Sequence, residues 1–167
     1  GYDKDKIARL LHYHKENGGL SRYVKFEYFF KEVLKQPYDT MDIENLASKF
    51  SIIMKRLLTD KNLLIEETLE FIRNNHTKLP MHIISGSDGQ ELRYLCEQLG
   101  IAHYFKTIEG SPTPKVKNLT ELIKKYKYKP SKLVLIGDSI NDYEAAKDNS
   151  VPFFDYNNKN LNHLSNY

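Results

Sequence analysis

The sequence predicts an α/β protein in which a helical part precedes a parallel sheet. Two observations support this prediction. Residues 1–60 contain only helical patterns, whereas in residues 61–167 short apolar runs alternate with amphipathic helix patterns. Such alternation is typical of a parallel sheet with helices on both of its faces. We therefore expect two domains, residues 1–60 and residues 61–167.

Four helices are predicted before the first strand. Residues 5–17 carry apolar side chains at three- and four-residue spacing and end at Gly18 and Gly19, a helix stop followed by a turn. The same spacing predicts helices over residues 21–34, 43–58 and 63–75. This part of the chain contains no strand pattern.

Four short apolar runs follow and are predicted to form the sheet. Residues 81–85 (MHIIS), 132–136 (KLVLI) and 151–154 are clear strand candidates, and residues 104–108 form a weaker one. Helix patterns separate these runs, as a parallel sheet requires. The one cysteine, Cys96, lies among leucines at helical spacing, which favours a place in the core.

Composition and charge place the chain among soluble globular proteins. Hydrophobic residues make up 40% and charged residues 28% of the 167 residues. The net charge of +3 is too small to predict a nucleic-acid partner, and the seven lysines between residues 115 and 132 are expected on a solvated helix face. No apolar run reaches the ~18–20 residues that span a bilayer, so no membrane partner is expected. A single cysteine without a signal peptide suits the cytoplasm.

Polar residues follow the predicted strands at the edge where open α/β sheets bind ligands. Residues 137–142 read GDSIND. Asp142 lies four residues after Asp138 and would face the same way in the first turn of a helix. Two converging carboxylates would suit a hard cation such as Mg²⁺. Ser139 and Asp142 match a helix-capping box equally well, so both interpretations stay open.

Two further segments have the features of a phosphate site. In SGSDGQ, residues 85–90, small residues would let backbone amides approach a phosphate at a helix start; the alternative is that Ser87 caps the helix and Gln90 completes a capping box. In GSPTPK, residues 110–115, Lys115 falls in the first turn of a helix that Thr113 and Pro114 begin. A cation there is unfavourable unless an anion lies nearby, and the alternative is an ordinary surface lysine.

The order of these segments resembles a known superfamily. A strand-end serine, a first-turn lysine and an apolar strand followed by GDxxxD are similar to the second, third and fourth signature motifs of the haloacid dehalogenase superfamily, in its phosphoglycolate-phosphatase and phosphomutase branch. GDSINDYEAA, residues 137–146, is the most specific part, and NGGLSRYVKF, residues 17–26, is similar to a stretch in some phosphatase-like caps. The resemblance implies a Rossmann-like, doubly wound parallel sheet over residues 61–167 and an α-helical cap domain over residues 1–60.

Carried over position by position, the resemblance implies a phosphoryl-transfer site. Ser85 would bind the transferring phosphoryl group, together with backbone amides near Gly86 and Ser87. Lys115 would neutralise phosphoryl charge and hold the nucleophile. These roles suit phosphoryl transfer, in which positioning and charge stabilisation do most of the catalysis.

The same resemblance implies a metal and a substrate-reading cap. Asp138 would bind Mg²⁺, and Asp142 would support the metal or orient Lys115. Caps of this superfamily close over the site and read the leaving group, which makes Arg22 and Lys25 candidate substrate-binding residues; the alternative is that both lie on the surface.

One signature motif of the superfamily is absent from the sequence. Its first strand ends in DxD, and the first Asp attacks phosphorus to form an aspartyl-phosphate. The DxD of Asp3, Lys4 and Asp5 follows no apolar strand, and we expect it to begin a helix. The nucleophile strand is therefore expected upstream of Gly1, in the middle of the sheet. Without it, neighbouring strands would keep unpaired backbone groups, each costing ~1–3 kcal/mol, and the 167-residue chain alone should be inactive.

The resemblance thus implies a cytoplasmic, Mg²⁺-dependent phosphatase, a phosphoric monoester hydrolase acting on a small phosphorylated metabolite through an aspartyl-phosphate. A phosphomutase on the same fold is the alternative enzyme. A non-catalytic binding module that has lost its nucleophile is the alternative from a different class. The sequence leaves the oligomeric state open.

Overall fold

The computed structural model describes residues 1–166, and its first part is helical, as predicted. Helix α1 spans Lys4–Glu16, α2 spans Arg22–Tyr28 and α3 spans Thr40–Leu57. The helix predicted over residues 21–34 is α-helical only as far as Tyr28, because a π-helix over Phe29–Leu34 continues it and buries three apolar side chains. Asp3 caps α1, accepting hydrogen bonds from the N–H groups of Asp5 (2.9 Å) and Lys6 (3.1 Å). The DxD is therefore a helix start.

The second part alternates strands and helices. The four predicted strands are present, although their bounds lie one to three residues further along the chain. The elements are α4 (Glu66–Asn75), β1 (His82–Asp88), α5 (Gly89–Gln98), β2 (Thr107–Ser111), α6 (Lys115–Tyr126), β3 (Leu135–Gly137), α7 (Ile140–Asp148) and β4 (Phe153–Asp155). Short 3₁₀ turns span Lys61–Leu63, Ala102–Tyr104, Pro130–Lys132 and Lys159–Leu164. The α/β class is confirmed.

The sheet consists of two parallel pairs. Strand β1 pairs with β2, and β3 pairs with β4. Within residues 1–166 no strand joins the two pairs, so the single doubly wound sheet of the prediction is split. The missing middle strand of the resemblance would leave such a split.

A common core holds the two pairs together. Ile84 of β1 and Leu135 of β3 pack against one buried cluster, whose members come from α6, α7, β4 and the segments around them: Leu119, Ala146, Val151, Phe153 and Leu161. Cys96 is buried, as predicted. Val134 and Ile136, beside and within β3, remain 51% and 52% exposed. No helix in the described part of the chain is long and apolar enough to cross a bilayer.

Candidate active site

Lys115 and Asp142 form an ion pair between the first turns of α6 and α7. The Lys115 Nζ lies 2.6 Å from Asp142 Oδ1, and the two side chains are only 12% and 9% exposed. The same Nζ lies 3.4 Å from Ser139 Oγ. The anion that a lysine at the positive end of a helix requires is thus supplied by the chain itself.

The second carboxylate oxygen of Asp142 binds Ser139. Asp142 Oδ2 accepts hydrogen bonds from the Ser139 N–H (3.1 Å) and from its hydroxyl (2.6 Å). A side chain at Gly137 would collide with Asp142, so the GDxxxD spacing also requires this glycine. Because both oxygens of Asp142 already accept hydrogen bonds, the geometry favours Asp142 as the residue that orients Lys115. These contacts give no support to the prediction that Asp142 is also a metal ligand.

Asp138 follows β3 directly and is exposed at the carboxyl end of the strand. Its backbone carbonyl accepts a hydrogen bond from Asn158 Nδ2 at 2.7 Å. Among residues 1–166 no group of three or more His, Cys, Asp or Glu side chains is arranged to hold a metal ion. Magnesium usually keeps several waters and binds one or two carboxylates, so Asp138 fits as one protein ligand.

Residues 85–87 form an irregular segment of β1 rather than its end. The ladder with β2 shifts register between Ile84 and Asp88, and the Ser85 hydroxyl accepts a hydrogen bond from the Ser87 N–H at 3.1 Å. Helix α5 is capped by Asp88, whose Oδ1 accepts from the Glu91 N–H at 2.9 Å. The alternative that Ser87 and Gln90 form the capping box is therefore wrong, because β1 runs through Ser87 and on to Asp88.

The turn of Gly18 and Gly19 contacts Gly86 in the irregular segment of β1 and Ser139 just after β3. A side chain at Gly86 would collide with the Gly19 carbonyl, and a Cβ at Gly19 would lie 2.6 Å from Ser139 Oγ. Asn141 Nδ2 donates a hydrogen bond to the Gly18 carbonyl at 2.7 Å. The helical part of the chain therefore closes directly over the predicted site. Asn141 was not among the predicted site residues, although it lies inside the GDSIND segment.

Arg22 is held in a nearly buried ion pair instead of lying on the surface. Its two terminal nitrogens each lie 2.6 Å from an oxygen of Glu91, a residue only 2% exposed. One of these nitrogens also donates to Ser51 Oγ at 2.7 Å. Nearby, the Tyr23 hydroxyl donates to Asp88 at 2.7 Å, and burial together with this bond raises the pKa of Tyr23 to about 12. Helix α2 is thereby fastened to the start of α5.

The Lys25 side chain contacts helix α1 and not the start of α5. It is 9% exposed, and its Nζ lies 3.1 Å from His14 Nδ1 on α1. Burial lowers the pKa of both side chains. The surface alternative is thus wrong for both cations, and the structure gives Arg22 and Lys25 different partners instead of joining them as one anion-binding pair.

With this geometry in view, comparisons with known proteins establish the family. A family model for haloacid dehalogenase-like hydrolases matches residues 6–149. The chain belongs to this family. A phosphoglycolate phosphatase from Photobacterium profundum is 32% identical over 88 residues, which amount to 50% of this chain and 38% of the relative. The chain thus matches well under two thirds of that relative's length.

Solved structures support the same fold for this haloacid dehalogenase-like hydrolase. A haloacid dehalogenase-like hydrolase from Streptococcus pneumoniae superposes with a TM-score of 0.61 at 15% identity, covering 92% of this chain and 67% of the other. A protein described as a phosphoglycolate phosphatase, from Haemophilus somnus 129pt, gives 0.61 at 17% identity, with coverages of 84% and 69%. A protein described as a beta-phosphoglucomutase, from Thermotoga maritima, gives 0.59 at 17% identity, with coverages of 98% and 76%.

Proposed function

We propose that this chain forms most of a Mg²⁺-dependent phosphatase that hydrolyses a small phosphorylated metabolite. The observation that carries the proposal is the nearly buried Lys115–Asp142 pair, which lies beside Ser139 and under the Gly18 and Gly19 turn. An ammonium group fixed at this edge of the sheet is suited to neutralising phosphoryl oxygens. The related phosphoglycolate phosphatase supports the same reaction class.

Each side chain would have a separate role in phosphoryl transfer. The Ser85 oxygen accepts from the Ser87 N–H, so its own hydrogen can be donated to a phosphoryl oxygen. Lys115, oriented by Asp142, would balance charge that develops on the same group. Asp138 would hold Mg²⁺, which supplies further positive charge when bound. The turn over the site would limit the entry of water.

The nucleophile is proposed to come from a strand upstream of Gly1. Strands β1 and β3 each have one edge without a strand partner within residues 1–166, and Ile84 and Leu135 share one core cluster. A parallel strand inserted between them would end at the same edge as Asp138, where an aspartate could attack phosphorus and form the aspartyl-phosphate. We also propose that residues 1–60 form a cap and residues 61–167 form the core, of which Tyr167 lies outside the described residues. A cytoplasmic location is part of the same proposal.

Hydrolysis of p-nitrophenyl phosphate by the protein with its upstream segment tests the proposal. We expect activity with Mg²⁺, no activity in excess EDTA, and a fall in kcat of about 100-fold or more for Lys115→Met, since a preorganised charge contributes on that order. Lys117→Met, on the exposed side of α6, should retain full activity. Equal activities of the two lysine variants, or no hydrolysis at all, would contradict the proposal.

An assay of the same protein with a sugar phosphate distinguishes phosphatase activity from phosphomutase activity. A phosphatase releases inorganic phosphate from a sugar phosphate, whereas a mutase returns the phosphoryl group to another hydroxyl of the same sugar. Product analysis by ³¹P NMR distinguishes the two. A non-catalytic module would bind phosphate and would convert neither p-nitrophenyl phosphate nor the sugar phosphate.

A further inference from the structure

The Asp138 carboxylate has no side-chain partner within residues 1–166. Asp138 is exposed, and among the described residues no hydrogen bond or ion pair engages its carboxylate oxygens. Both oxygens of Asp142, by contrast, accept hydrogen bonds. A carboxylate without a partner can bind a cation, but its direction is then set only by the backbone that carries it. The precision of the proposed metal site therefore depends on how the backbone at Asp138 is fixed.

The segment after β4 binds two consecutive carbonyl groups at the end of β3. The Tyr156 N–H donates to the Gly137 carbonyl at 3.0 Å, which continues the parallel register in which Gly137 pairs with Asp155. Both strands end there, and Asn158 Nδ2 donates to the next carbonyl, that of Asp138, at 2.7 Å. A side chain thus fixes the peptide unit after Asp138, where the backbone leaves the sheet for α7.

The Asn158 amide is held at both of its ends. Its Oδ1 accepts from the Asn160 N–H at 3.2 Å and so caps the 3₁₀ turn over Lys159–Leu164, while its Nδ2 donates to Asp138. These two bonds fix the orientation of the amide, because exchanging its oxygen and nitrogen would break both. Asn157, with φ +61°, makes the bend before it, in a left-handed conformation that asparagine tolerates.

The rest of the terminal segment, residues 159–166, is bound to β4 and to the core. Leu161 is 8% exposed and belongs to the buried cluster. Asn166 exchanges two hydrogen bonds with Phe153, since its N–H donates to the Phe153 carbonyl at 3.0 Å and its Oδ1 accepts from the Phe153 N–H at 2.7 Å. Asn158 therefore projects from a segment that is held on both sides.

Capping of the 3₁₀ turn accounts for only one of the two bonds of Asn158. Serine and aspartate cap a helix start about as well as asparagine does. Of these residues only asparagine can accept from the turn with one side-chain atom and donate to the Asp138 carbonyl with another. The bond to Asp138 is therefore the contact that capping leaves unexplained.

We propose that Asn158 is a positioning residue for the metal-binding carboxylate. By holding the Asp138 carbonyl, it fixes the direction in which Asp138 presents its carboxylate to Mg²⁺. The proposal rests on the proposed function for the role of Asp138 as a metal ligand. Asn158 contributes no atom to the metal, because its Nδ2 is a donor and its Oδ1 is engaged by Asn160.

Titration with Mn²⁺, followed by the EPR signal of the free ion, tests the proposal on the protein with its upstream segment. Mn²⁺ takes the same carboxylate and water ligands as Mg²⁺. Asn158→Ser keeps a cap for the 3₁₀ turn but has too short a side chain to reach Asp138, and it should raise the Kd of Mn²⁺ by about tenfold, the low end for a group behind a metal ligand. Asn160→Ser, the same substitution at an exposed position of the same turn, should leave the Kd unchanged. Asp138→Asn should raise the Kd further than Asn158→Ser does.

The Mg²⁺ dependence of p-nitrophenyl phosphate hydrolysis separates positioning from a loss of structure. In Asn158→Ser the Mg²⁺ concentration that gives half-maximal activity should rise by about the same tenfold. Saturating Mg²⁺ should restore kcat, and the KM for p-nitrophenyl phosphate should stay unchanged. A kcat that stays low at every Mg²⁺ concentration would mean that Asn158 serves only the structure, and it would overturn the proposal.

The outcomes distinguish this proposal from the proposed function. If Asn158→Ser and Asn160→Ser bind Mn²⁺ equally well while Asp138→Asn binds it weakly, the positioning role fails and Asp138 remains the metal ligand. If the unsubstituted protein binds no Mn²⁺, or if Asp138→Asn binds it as well as the unsubstituted protein does, the metal role of Asp138 fails and the positioning role fails with it.

Discussion

At the scale of single residues, the most informative contact is the one between Lys115 and Asp142. Both side chains are about nine-tenths buried, and Ser139 gives Asp142 two further hydrogen bonds. A nearly buried ion pair that is completed in this way is costly to break from one side only, because the remaining charge stays desolvated. The pair therefore links the stability of the fold to the geometry of the proposed site.

The first prediction concerns Asp142→Asn, which leaves the Lys115 ammonium group without a carboxylate. We expect the free energy of unfolding to fall by about 3 kcal/mol, measured by urea denaturation. Lys117 and Glu121 provide the control, since their pair is 66% and 61% exposed with 3.9 Å between the charged atoms. Glu121→Gln should cost less than about 1 kcal/mol. Equal losses in the two variants would mean that the buried pair has no special role.

The second prediction concerns His82 and pH. Burial, and then the nearby charges of Lys106 and Lys125, hold the pKa of His82 below its usual 6.5. The unfolded chain therefore binds more protons than the folded chain once the pH falls below 6.5, and the free energy of unfolding should decrease as the pH falls through this range. Urea denaturation at pH 7.5 and 5.5 measures the decrease. It should be smaller in His82→Gln.

The matched variant for this prediction is Thr107→Val. Thr107 Oγ1 lies 2.8 Å from His82 Nδ1, so its loss removes a contact of the ring but leaves the ring able to titrate. We expect Thr107→Val to lower the free energy of unfolding at both pH values and to keep the dependence on pH. An unchanged pH dependence in His82→Gln would assign the acid sensitivity to other groups.

At the scale of elements, the helical part contacts the α/β part of the chain at two places. Helix α2 is joined to the start of α5 through Arg22 and Glu91, and the Gly18 and Gly19 turn contacts Gly86 of β1 and Ser139 after β3. These two contacts, one on helix α5 and one on the sheet, fix the orientation of the helical part over the site. Either contact can be weakened without altering a residue assigned to phosphate or metal binding.

The third prediction tests the turn with Gly19→Ala. Gly19 has φ +85°, and a Cβ there would lie 2.6 Å from Ser139 Oγ. Left-handed backbone strain and the collision together should lower the free energy of unfolding by about 2 kcal/mol. That loss corresponds to a fall in Tm of roughly 4–8 °C for a chain of this size, which differential scanning calorimetry measures. Gly18→Ala, where nothing lies within 4 Å, should change the Tm by less than about 2 °C; similar shifts in both variants would argue against contact between the turn and the site.

The elements show which features the sequence alone can predict. The helices, the four strands and the helix start at Asp3 were predicted correctly, because each depends on local spacing. The cap of α5 was not, because pairing with β2 extends β1 to Asp88. Arg22 and Glu91 lie 69 positions apart, and no local pattern indicates that they meet. The order of Lys115 and GDSIND indicated a shared edge, and the family resemblance offered the orientation of Lys115 as one of two roles for Asp142; the ion pair that the structure contains matches that role.

At the scale of the whole molecule, the main feature is the division of the sheet into two separate parallel pairs. The two parallel pairs share a core, yet between them no strand completes the sheet within the described residues. Val134 and Ile136, whose side chains share one face, are also exposed, so that face of β3 is incompletely covered. A strand that filled the gap would extend hydrogen bonding across the sheet and, in the proposed function, deliver the nucleophile beside Asp138.

The fourth prediction is that the proposed upstream segment protects the free edge of β3. The Leu135 N–H already donates to the Pro152 carbonyl at 2.9 Å, so by strand alternation the Ile136 N–H points away from β4. Adding the segment upstream of Gly1 should slow amide hydrogen exchange at Ile136 by about tenfold or more, because a neighbouring strand would accept its hydrogen bond. NMR-detected exchange compares Ile136 with Leu135 as an internal control. A proline in the middle of the added strand, which lacks a donor and disfavours central pairing, should abolish the protection. If Ile136 exchanges equally fast with and without the segment, the strand does not lie beside β3 and the nucleophile must be sought elsewhere.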